Sequence, residues 1–281
     1  MILIIDSGST KADWRIINKA NQISQMQSIG FNPNYDPGDF IHNVQQQILP
    51  QLKGETIQEI HFYGTGCSTE SNKSTTRQLL SSLFKGAHIF VYHDLLAAAR
   101  ALCGHQPGIA CILGTGSNAC LYDGVNITHQ AINLGYMLSD EGSGYHLGKT
   151  LLTQYMYNLL PEDIAQKSAK RYPKVNREEV LTNLYHKSYP NRYVASFSKF
   201  LFDNHKHPII YKLIYDCFDD FFNKHILSFE NAQQHRVHFV GSVAFYFSNI
   251  LRQVASDKNI HIGNILETPI AGLTLYHEEQ L

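Results

Sequence analysis

One local pattern constrains the possible folds of this chain more than any other. It consists of an apolar strand, a short glycine-containing turn and a second strand. At the N-terminus, residues 2–5 are apolar and mostly β-branched, which favours a buried strand. The run ends at Asp6, a polar turn with Gly8 follows, and residues 12–17 resume a strand-like character. Such a turn can hold phosphate oxygens, and the carboxylate beside it can hold a hydrated Mg²⁺. An ordinary hairpin with a polar tip is the alternative interpretation of this stretch alone.

The same order of features returns in the middle of the chain. Residues 109–113 are apolar, residues 114–118 (Gly-Thr-Gly-Ser-Asn) form a second glycine-rich turn, and two more strand-like runs follow around Asp123-Gly124. A third glycine turn, Gly241-Ser242, comes after residues 236–240 and opens a helix, where free NH groups favour an anion. Three such turns, each after an apolar strand, predict a site for phosphate groups.

The remaining segments predict an α/β protein of two domains, for which 281 residues suffice. Gly104, Pro107 and Gly108 lie close together, and we place the boundary there, with domains over residues 1–106 and 107–281. Residues 145–230 are mostly helical in pattern and predict a helical insertion in the second domain. Aromatic residues in this insertion recur at roughly helical spacing, which indicates core packing or a subunit interface. They are Phe197, Phe200, Phe202, Tyr211, Tyr215, Phe218, Phe221 and Phe222.

Composition and charge exclude several function classes. Hydrophobic residues make up 43% of the chain and charged residues 17%, as in a globular protein with a sizeable core. The net charge of −1, without a basic block, argues against binding to nucleic acid or a membrane surface. No stretch approaches the ~20 apolar residues of a membrane span, and Asp6 interrupts the first apolar run too early for a signal peptide. Five cysteines without CxxC spacing fit a reducing cytoplasm rather than disulfides or structural zinc.

Taken together, the motifs resemble those of the superfamily of actin, sugar kinases and heat-shock ATPases. Within it, the sequence is most similar to the N-acetylglucosamine kinase branch of the BadF/BadG/BcrA/BcrD ATPase family, nearly end to end and least over residues 145–230. Four motifs carry the resemblance: Asp6-Ser-Gly-Ser-Thr-Lys11, Gly114-Thr-Gly-Ser-Asn118, Asp140-Glu-Gly-Ser-Gly144 and Gly241-Ser-Val243. The resemblance implies two actin-like (ribonuclease H-like) domains that close over ATP, Mg²⁺ and an amino sugar in a cleft between them.

The resemblance also implies a role for individual residues. Asp94, after the predicted strand 88–92, matches the catalytic base that takes the proton of the sugar hydroxyl. A simple N-cap is the alternative for Asp94, and the two roles are compatible. The implied nucleotide contacts are Asp6, Ser9, Thr10, Lys11, Gly114, Thr115, Gly116, Gly241 and Ser242, with Asp6 holding Mg²⁺ through water. The implied sugar contacts are Asn34, Thr65, Asp94, Thr115 and Asp140. For Asp140, a cap on the helix that follows is the alternative interpretation.

Two positions depart from the pattern of similar kinases. Ser139 stands where they tend to have glycine, and Leu134 replaces an aromatic residue of the mammalian enzymes. Both border the expected sugar pocket, so glucosamine, N-acetylglucosamine and N-acetylmuramic acid all remain open as substrates. The resemblance, together with the aromatic residues of the insertion, also predicts a homodimer.

Two other functions fit a chain of this kind. An ATP-driven activator of a 2-hydroxyacyl-CoA dehydratase is similar in fold but holds an iron–sulfur cluster between two subunits through cysteines. Such activators tend to carry Gln-Asp where this chain has Ser117-Asn118. A non-catalytic sugar sensor on a kinase fold is the second alternative, and the retention of Asp6, Asp94 and Asp140 argues against it.

Overall fold

Two five-stranded sheets with the same strand order organise the protein. The computed structural model describes residues 1–8, 11–18, 20, 22–34, 36–52, 54 and 56–279. The first sheet consists of β1 (Ile2–Ser7), β2 (Lys11–Ile17), β3 (Ile23–Ile29), β4 (Glu59–Gly64) and β5 (His88–His93). The second consists of β6 (Gly108–Leu113), β7 (Ser117–Tyr122), β8 (Ile127–Gln130), β9 (Arg236–Val240) and β10 (His261–Leu266). The spatial orders are β3-β2-β1-β4-β5 and β10-β9-β6-β7-β8, so β6 takes in the second sheet the central place of β1 in the first.

The helices follow the strands and cover the sheets. Those that accompany the first sheet are α1 (Gly38–Asn43), α2 (Glu70–Leu83), α3 (Asp94–Cys103) and the C-terminal α12 (Ile270–Glu278). Those that accompany the second are α4 (Gly144–Met156), α5 (Glu162–Arg171), α6 (Arg177–Tyr185), α7 (Pro190–Ala195), α8 (Ser198–Asn204), α9 (Pro208–Phe221), α10 (Ser242–Tyr246) and α11 (Ser248–Asp257). The predicted α/β class is confirmed. Within the part of the chain that the structure describes, no helix has the length and apolar character needed to cross a membrane.

Contacts divide the chain into two units. Unit 1 contains residues 1–107 and 122–127 together with the segment from Thr268 onward, and unit 2 contains Gly108–Leu121 and Thr128–Glu267. Helix α12 therefore lies in unit 1, although the sequence analysis assigns the whole C-terminus to the second domain. The reason is its packing on α3: a Cβ at Gly272 would lie 2.3 Å from the carbonyl oxygen of Ala101, so the two helices touch along their backbones.

Strand β1 explains why the N-terminal apolar run is unbroken. The strand is paired on both sides, antiparallel with β2 and parallel with β4, and both of its faces are covered. Leu3 and Ile5 belong to a buried cluster with Trp14, whereas Ile4, on the opposite face, packs with Tyr63 under α12. Leu3, Ile4 and Ile5 are fully buried, which is why successive positions on both faces of the strand need apolar side chains.

The core of unit 2 contains most of the aromatic residues of the predicted insertion. Phe197, Phe200, Phe218, Phe221 and Phe222 are buried in it, which confirms core packing as their role. In contrast, the side chains of Phe202 and Tyr211 are 37% and 38% exposed. The helical character predicted for residues 145–230 is confirmed by helices α4 to α9.

Two predicted helices differ from the structure in detail. The sequence of residues 39–52 predicts a helix with Asp39 as a plausible N-cap. In the structure the helix begins instead after Pro37, so the predicted cap is wrong, and the Asp36 carboxylate accepts the Gly38 NH at 2.9 Å. Beyond Asn43 the chain continues as a π turn and then a 3₁₀ turn. The helix expected after Gly241 is interrupted at Phe247, which separates α10 from α11.

Candidate active site

The carboxyl ends of three parallel strands bring Asp6, Thr65 and Asp94 to one edge of the first sheet. Ser7 of β1 pairs with Gly64 of β4, and Gly64 pairs with His93 of β5, so the three strands end in register. The Thr65 NH donates to the Ser7 carbonyl at 3.0 Å, and the Thr65 hydroxyl donates to Asp94 Oδ2 at 3.2 Å. Three predicted site residues that are far apart in sequence therefore lie together.

Asp94 is the first residue of α3, and the residue in the cap position is His93. The simple N-cap interpretation of Asp94 is thus wrong by one residue. Burial raises the pKa of the Asp94 carboxyl, while His93, the hydroxyl of Thr65 and the NH of Leu95 act in the opposite direction. A carboxylate with a raised pKa that remains hydrogen-bonded is a stronger proton acceptor than a free aspartate, as a general base requires.

A second carboxylate lies opposite Asp6 on the neighbouring strand. Asp6 pairs directly with Asp13 across β1 and β2, and Lys11 Nζ lies 3.1 Å from Asp13 Oδ2. Burial, together with the charges of Asp13 and Asp94, raises the pKa of Asp6 to about 7, and Lys11 only partly opposes this. The site concentrates negative charge. Asp13 was missed in the sequence analysis, since it stands in a strand-like run and its proximity to Asp6 depends on the hairpin register.

This concentration of carboxylates fits a hydrated magnesium ion. Among the described residues, no three His, Cys, Asp or Glu side chains are grouped so as to hold a metal ion. Mg²⁺ does not require such a group, because it is commonly bound through one or two carboxylates and keeps several waters. Asp6, with Asp13 beside it, provides that chemistry, and a cation there would relieve the repulsion that raises the pKa of Asp6. Ser9 and Thr10, the hydroxyls predicted in this turn, lie outside the described residues.

Three asparagines surround the turn after β4. Gly66 has φ = 83°, and a Cβ there would lie 2.6 Å from Asn32 Oδ1, so the turn needs glycine for its conformation and for space. Asn72 of α2 donates through Nδ2 to the Gly66 carbonyl at 2.7 Å and to Asn34 Oδ1 at 3.1 Å. The oxygen of the exposed Asn34 amide is therefore engaged, which leaves its Nδ2 to donate to a ligand. Asn72 is a residue that the sequence analysis missed.

The glycine turns of unit 2 meet through their backbones. Gly241, at the end of β9, has φ = 123°, and a Cβ there would lie 2.3 Å from the carbonyl oxygen of Leu113. The NH of Gly144, at the start of α4, donates to the Gly114 carbonyl at 2.8 Å, and the Tyr145 NH donates to the Thr115 carbonyl at 3.0 Å. Three predicted motifs that are far apart in sequence are thereby joined, with Thr115 and Ser242 exposed beside the turns.

Asp140 points its carboxylate at the second glycine turn. Its Oδ1 accepts the NH of Ser117 at 3.1 Å and the amide of Asn133 at 2.8 Å. A Cβ at Gly116 would lie 2.7 Å from Asp140 Oδ2, so this glycine leaves room for the carboxylate. The alternative role of Asp140 as cap of α4 is wrong, because Ser143 caps that helix by accepting the His146 NH at 3.2 Å. One carboxylate oxygen of Asp140 thus remains for a ligand.

The next residue, Glu141, anchors this loop in the unit 2 core. Its side chain is 13% exposed and accepts from His225 Nε2 at 2.9 Å and Lys224 Nζ at 3.1 Å. Burial alone would raise the pKa of Glu141, but the hydrogen bond from His225 and those from the backbone and Lys224 lower it to about 2. Ser139, a departure from similar kinases, donates its hydroxyl to Glu141 Oε2 at 3.2 Å. Leu134, the other departure, is 63% exposed.

A cavity of about 400 Å³ in unit 2 lies directly beside the third glycine turn. Ser242 and Val243 of that turn line it, together with the aromatic rings of Phe202 and Tyr246, whose centroids are 5.5 Å apart. Arg171 and Asp203 form an ion pair at its border. A cavity of this size with aromatic walls and a few polar groups suits a flat heterocyclic ring.

Comparison with solved structures identifies the family. A candidate N-acetylglucosamine kinase from Porphyromonas gingivalis superposes with a TM-score of 0.92 and shares 36% sequence identity, covering 99% of both chains. The chain belongs to the family of this N-acetylglucosamine kinase-like protein. The predicted resemblance to N-acetylglucosamine kinases is therefore confirmed.

More distant structures show the same fold. A candidate N-acetylglucosamine kinase from Chromobacterium violaceum has a TM-score of 0.76 at 14% identity and covers 98% of both chains. A ROK hexokinase from Thermus thermophilus has a TM-score of 0.58 at 12% identity and covers 100% of this chain and 99% of its own. The predicted pair of actin-like domains is confirmed. Neither protein-family profiles nor curated protein sequences gave a match.

Proposed function

We propose that this protein is an ATP-dependent kinase that phosphorylates a hydroxyl of an amino sugar, with N-acetylglucosamine as the first candidate. The observation that carries the proposal is the pairing of Asp94, a partly buried carboxylate with a raised pKa, with Thr65 at the sheet edge that also bears Asp6. The sugar named for the Porphyromonas gingivalis relative supports the choice of substrate. Glucosamine and N-acetylmuramic acid stay open.

In the proposed reaction, Asp94 orients the sugar hydroxyl and takes its proton as the oxygen attacks the γ-phosphorus of ATP. The new P–O bond forms on the sugar, the bond to the leaving ADP breaks, and Asp94 ends as a carboxylic acid. The hydrogen bond from Thr65 holds Asp94 in one orientation before the proton moves. When bound, Mg²⁺ would supply charge neutralisation for the phosphates, and Asp6 would hold it through water.

The nucleotide contacts are proposed on two sets of residues. In unit 1, Asp6 lies near the end of β1, and Lys11, which begins β2, is half exposed and pairs with Asp13. Ser9 and Thr10, outside the described residues, are proposed with them from the sequence. In unit 2, the proposed donors to phosphate oxygens are the NH groups of Thr115, Gly116 and Ser242. The NH groups of Gly114 and Gly241 already donate, both at 2.9 Å, to the carbonyls of Gly116 and Leu266. The cavity beside Ser242 is the proposed place for the base, since its aromatic walls can stack on a flat ring.

The sugar contacts are proposed on side chains with one free polar atom. Asp140 keeps Oδ2 to accept from sugar hydroxyls, because Oδ1 is already engaged by Ser117 and Asn133. Asn34 keeps Nδ2 to donate, because Asn72 engages its oxygen. Thr65 and Thr115 complete the proposed set. One donor and one acceptor of this kind match adjacent hydroxyls or an N-acyl group.

The burial of the cysteines weighs against the dehydratase-activator alternative. All five are buried in the structure, whereas a cluster held between two subunits needs cysteines at the surface of each. The sensor alternative is weaker for another reason: a sensor has no need of a base, and partial burial that raises the pKa of Asp94 has a cost without a chemical role. We further expect the kinase to act in the cytoplasm as a homodimer. Sedimentation that shows a monomer at micromolar concentration would refute the predicted dimer.

A coupled ADP-release assay tests the proposal. ATP-Mg²⁺ is supplied with glucosamine, N-acetylglucosamine, N-acetylmannosamine, N-acetylmuramic acid or glucose, and we expect turnover with one amino sugar. Asp94→Asn should reduce turnover by orders of magnitude while calorimetry still detects sugar binding, and Asp39→Asn, an exposed aspartate of the same unit, should match the wild type. If no sugar of the panel gives turnover although the protein still binds ATP, the kinase assignment is overturned.

A further inference from the structure

A groove in unit 2 lies at the amino ends of two parallel strands, the end opposite to the glycine turn at Gly241. Arg236 begins β9 and His261 begins β10, and the two residues pair directly across the strands. From the last turns of α11, Arg252 and Ser256 line the same groove one helical turn apart. Its volume is about 780 Å³. Arg236 is five residues before Gly241, or roughly 16 Å along the strand at ~3.3 Å per residue.

The side chains that line this groove are basic or neutral. Arg236, Arg252, His235 and His261 contribute cationic or titratable nitrogens, and no aspartate or glutamate is among the lining residues. Among the described residues, neither arginine has a salt bridge or a hydrogen bond through its side chain. The nearest acidic residue along α11, Asp257, is engaged elsewhere: it accepts from the hydroxyl of Tyr215 at 2.7 Å and from Gln253 at 2.9 Å.

The negative end of helix α11 also reaches this region, but the carbonyl groups of Val254, Ala255 and Ser256 are occupied. The NH groups of Lys258, Asn259 and Ile260 donate to the carbonyls of Val254, Ser256 and Ala255 at 3.2, 3.1 and 2.9 Å. An anion in the groove would therefore face donors rather than open carbonyl oxygens. Two guanidinium groups without carboxylate partners, placed on separate elements around one concavity, are suited to bidentate binding of phosphate oxygens.

We propose that this groove is a second ligand site, distinct from the candidate active site, that binds a small phosphorylated molecule through its phosphomonoester group. The volume is that of a small-molecule site, so a ligand larger than a bare phosphate ion fits. The net charge of −1 disfavours a nucleic acid. The ligand could be the product of the kinase itself or another phosphorylated metabolite. Both share the phosphomonoester.

Titration calorimetry on the full chain, without ATP, tests the site. The probes are inorganic phosphate, N-acetylglucosamine 6-phosphate, the unrelated phosphomonoester glycerol 3-phosphate, and uncharged N-acetylglucosamine. The variant Arg236→Gln/Arg252→Gln removes both guanidinium groups. The control Arg177→Gln/Lys187→Gln removes the same charge from exposed positions of unit 2 outside the groove.

The double groove variant should bind both phosphomonoesters on the order of tenfold or more weakly than the wild type, because charge-assisted hydrogen bonds are lost. The control pair should bind as the wild type does, and the affinity should fall as salt is added. A preference for the sugar phosphate over glycerol 3-phosphate would identify the product as ligand, whereas equal binding would indicate a general phosphomonoester site.

Three results would overturn the site. These are equal affinity in the groove variant and the wild type, binding of inorganic phosphate without the esters, and binding that does not respond to salt. Ser256→Asp guards against a folding defect in the double variant, because it adds a negative charge to an exposed groove position and should also abolish binding. The measurement uses no turnover, so a failure of the proposed kinase activity and a failure of this site can be told apart.

Discussion

The hydroxyl of Thr65 donates to Asp94 Oδ2 at 3.2 Å, and this bond links the residue after β4 to the first residue of α3. It stabilises the ionised form of Asp94, which burial destabilises. Removing the donor should therefore raise the pKa of Asp94 further. In the proposed reaction only the ionised carboxylate accepts a proton, so the acid limb of the rate profile should respond.

Thr65→Val removes the hydroxyl and keeps the shape of the side chain. We expect kcat to fall about tenfold or more, as for the loss of a hydrogen bond to a charged group, and the acid limb of the kcat–pH profile to move to higher pH. Thr75→Val, which removes an exposed hydroxyl from α2, is the matched control. An unchanged pH profile in Thr65→Val would show that Asp94 does not act through this bond.

Asn72 fixes the orientation of the Asn34 amide by donating to its oxygen at 3.1 Å. In Asn72→Ala the Asn34 side chain should rotate freely, and its Nδ2 would no longer be held toward the sugar. We expect KM for the sugar to rise on the order of tenfold with a smaller change in kcat, because binding rather than chemistry is affected. KM for ATP should stay constant, and Gln78→Ala, an exposed position on the same helix, should leave both constants unchanged. A fall in kcat alone would contradict this role.

Several features of the fold were predictable because they depend on local sequence. The unbroken apolar run before Asp6 marks a strand with both faces covered, and the bounds predicted for β9, Arg236–Val240, are those of the structure. A glycine directly follows the apolar strands β6 and β9, and these glycines located the turns at Gly114 and Gly241. Local patterns of this kind arise from strand burial and from backbone conformation, and both are encoded over a few residues.

Partners that meet only through the tertiary fold could not be predicted. Asn72 and Asn34 are separated by 38 positions, and nothing in the helical pattern of α2 indicates that one residue reaches back to the other. For Asp140, the sequence left open a role as cap of the helix that follows. The structure excludes this role, because the Asp140 carboxylate accepts the NH of Ser117 and Ser143 caps the helix. Side-chain hydrogen bonds over long separations depend on strand order and register, which composition and spacing do not specify.

Gly241→Ala tests the contact between the turns at the ends of β6 and β9. The added Cβ would lie 2.3 Å from the Leu113 carbonyl oxygen at φ = 123°, so both steric overlap and backbone strain result. We expect a loss of unfolding free energy of about 3 kcal/mol or more, with weaker ATP binding, measured by denaturant unfolding and calorimetry. Gly86→Ala separates the two causes, because φ is 83° there but nothing lies within 4 Å of the new Cβ. An equal loss of unfolding free energy in the two variants would mean that steric overlap with Leu113 does not contribute to the destabilisation.

His277 makes stability dependent on pH. Arg100 donates to the Tyr63 hydroxyl oxygen at 2.8 Å, and that hydroxyl lies 2.9 Å from His277 Nε2. A neutral imidazole can accept from the Tyr63 hydroxyl, whereas the nearby guanidinium disfavours a second positive charge on His277. Burial, followed by the charges of His61 and Arg100, lowers the pKa of His277 from 6.5 to about 3. The unfolded chain therefore binds a proton at a higher pH than the folded one. The stabilisation is complete above pH 6.5 and is lost progressively as the pH falls toward 3.

Urea unfolding at a series of pH values between 7 and 4 measures this effect. For the wild type, His277 should contribute a slope of at most about 1.4 kcal/mol per pH unit, the value for one proton. His277→Gln retains a hydrogen-bond acceptor but cannot titrate, so its stability should depend less steeply on pH. His42→Gln, at an exposed position of the same unit, should follow the wild type. The same slope in all three proteins would show that His277 remains protonatable in the folded state and that the chain from Arg100 through Tyr63 does not hold it neutral.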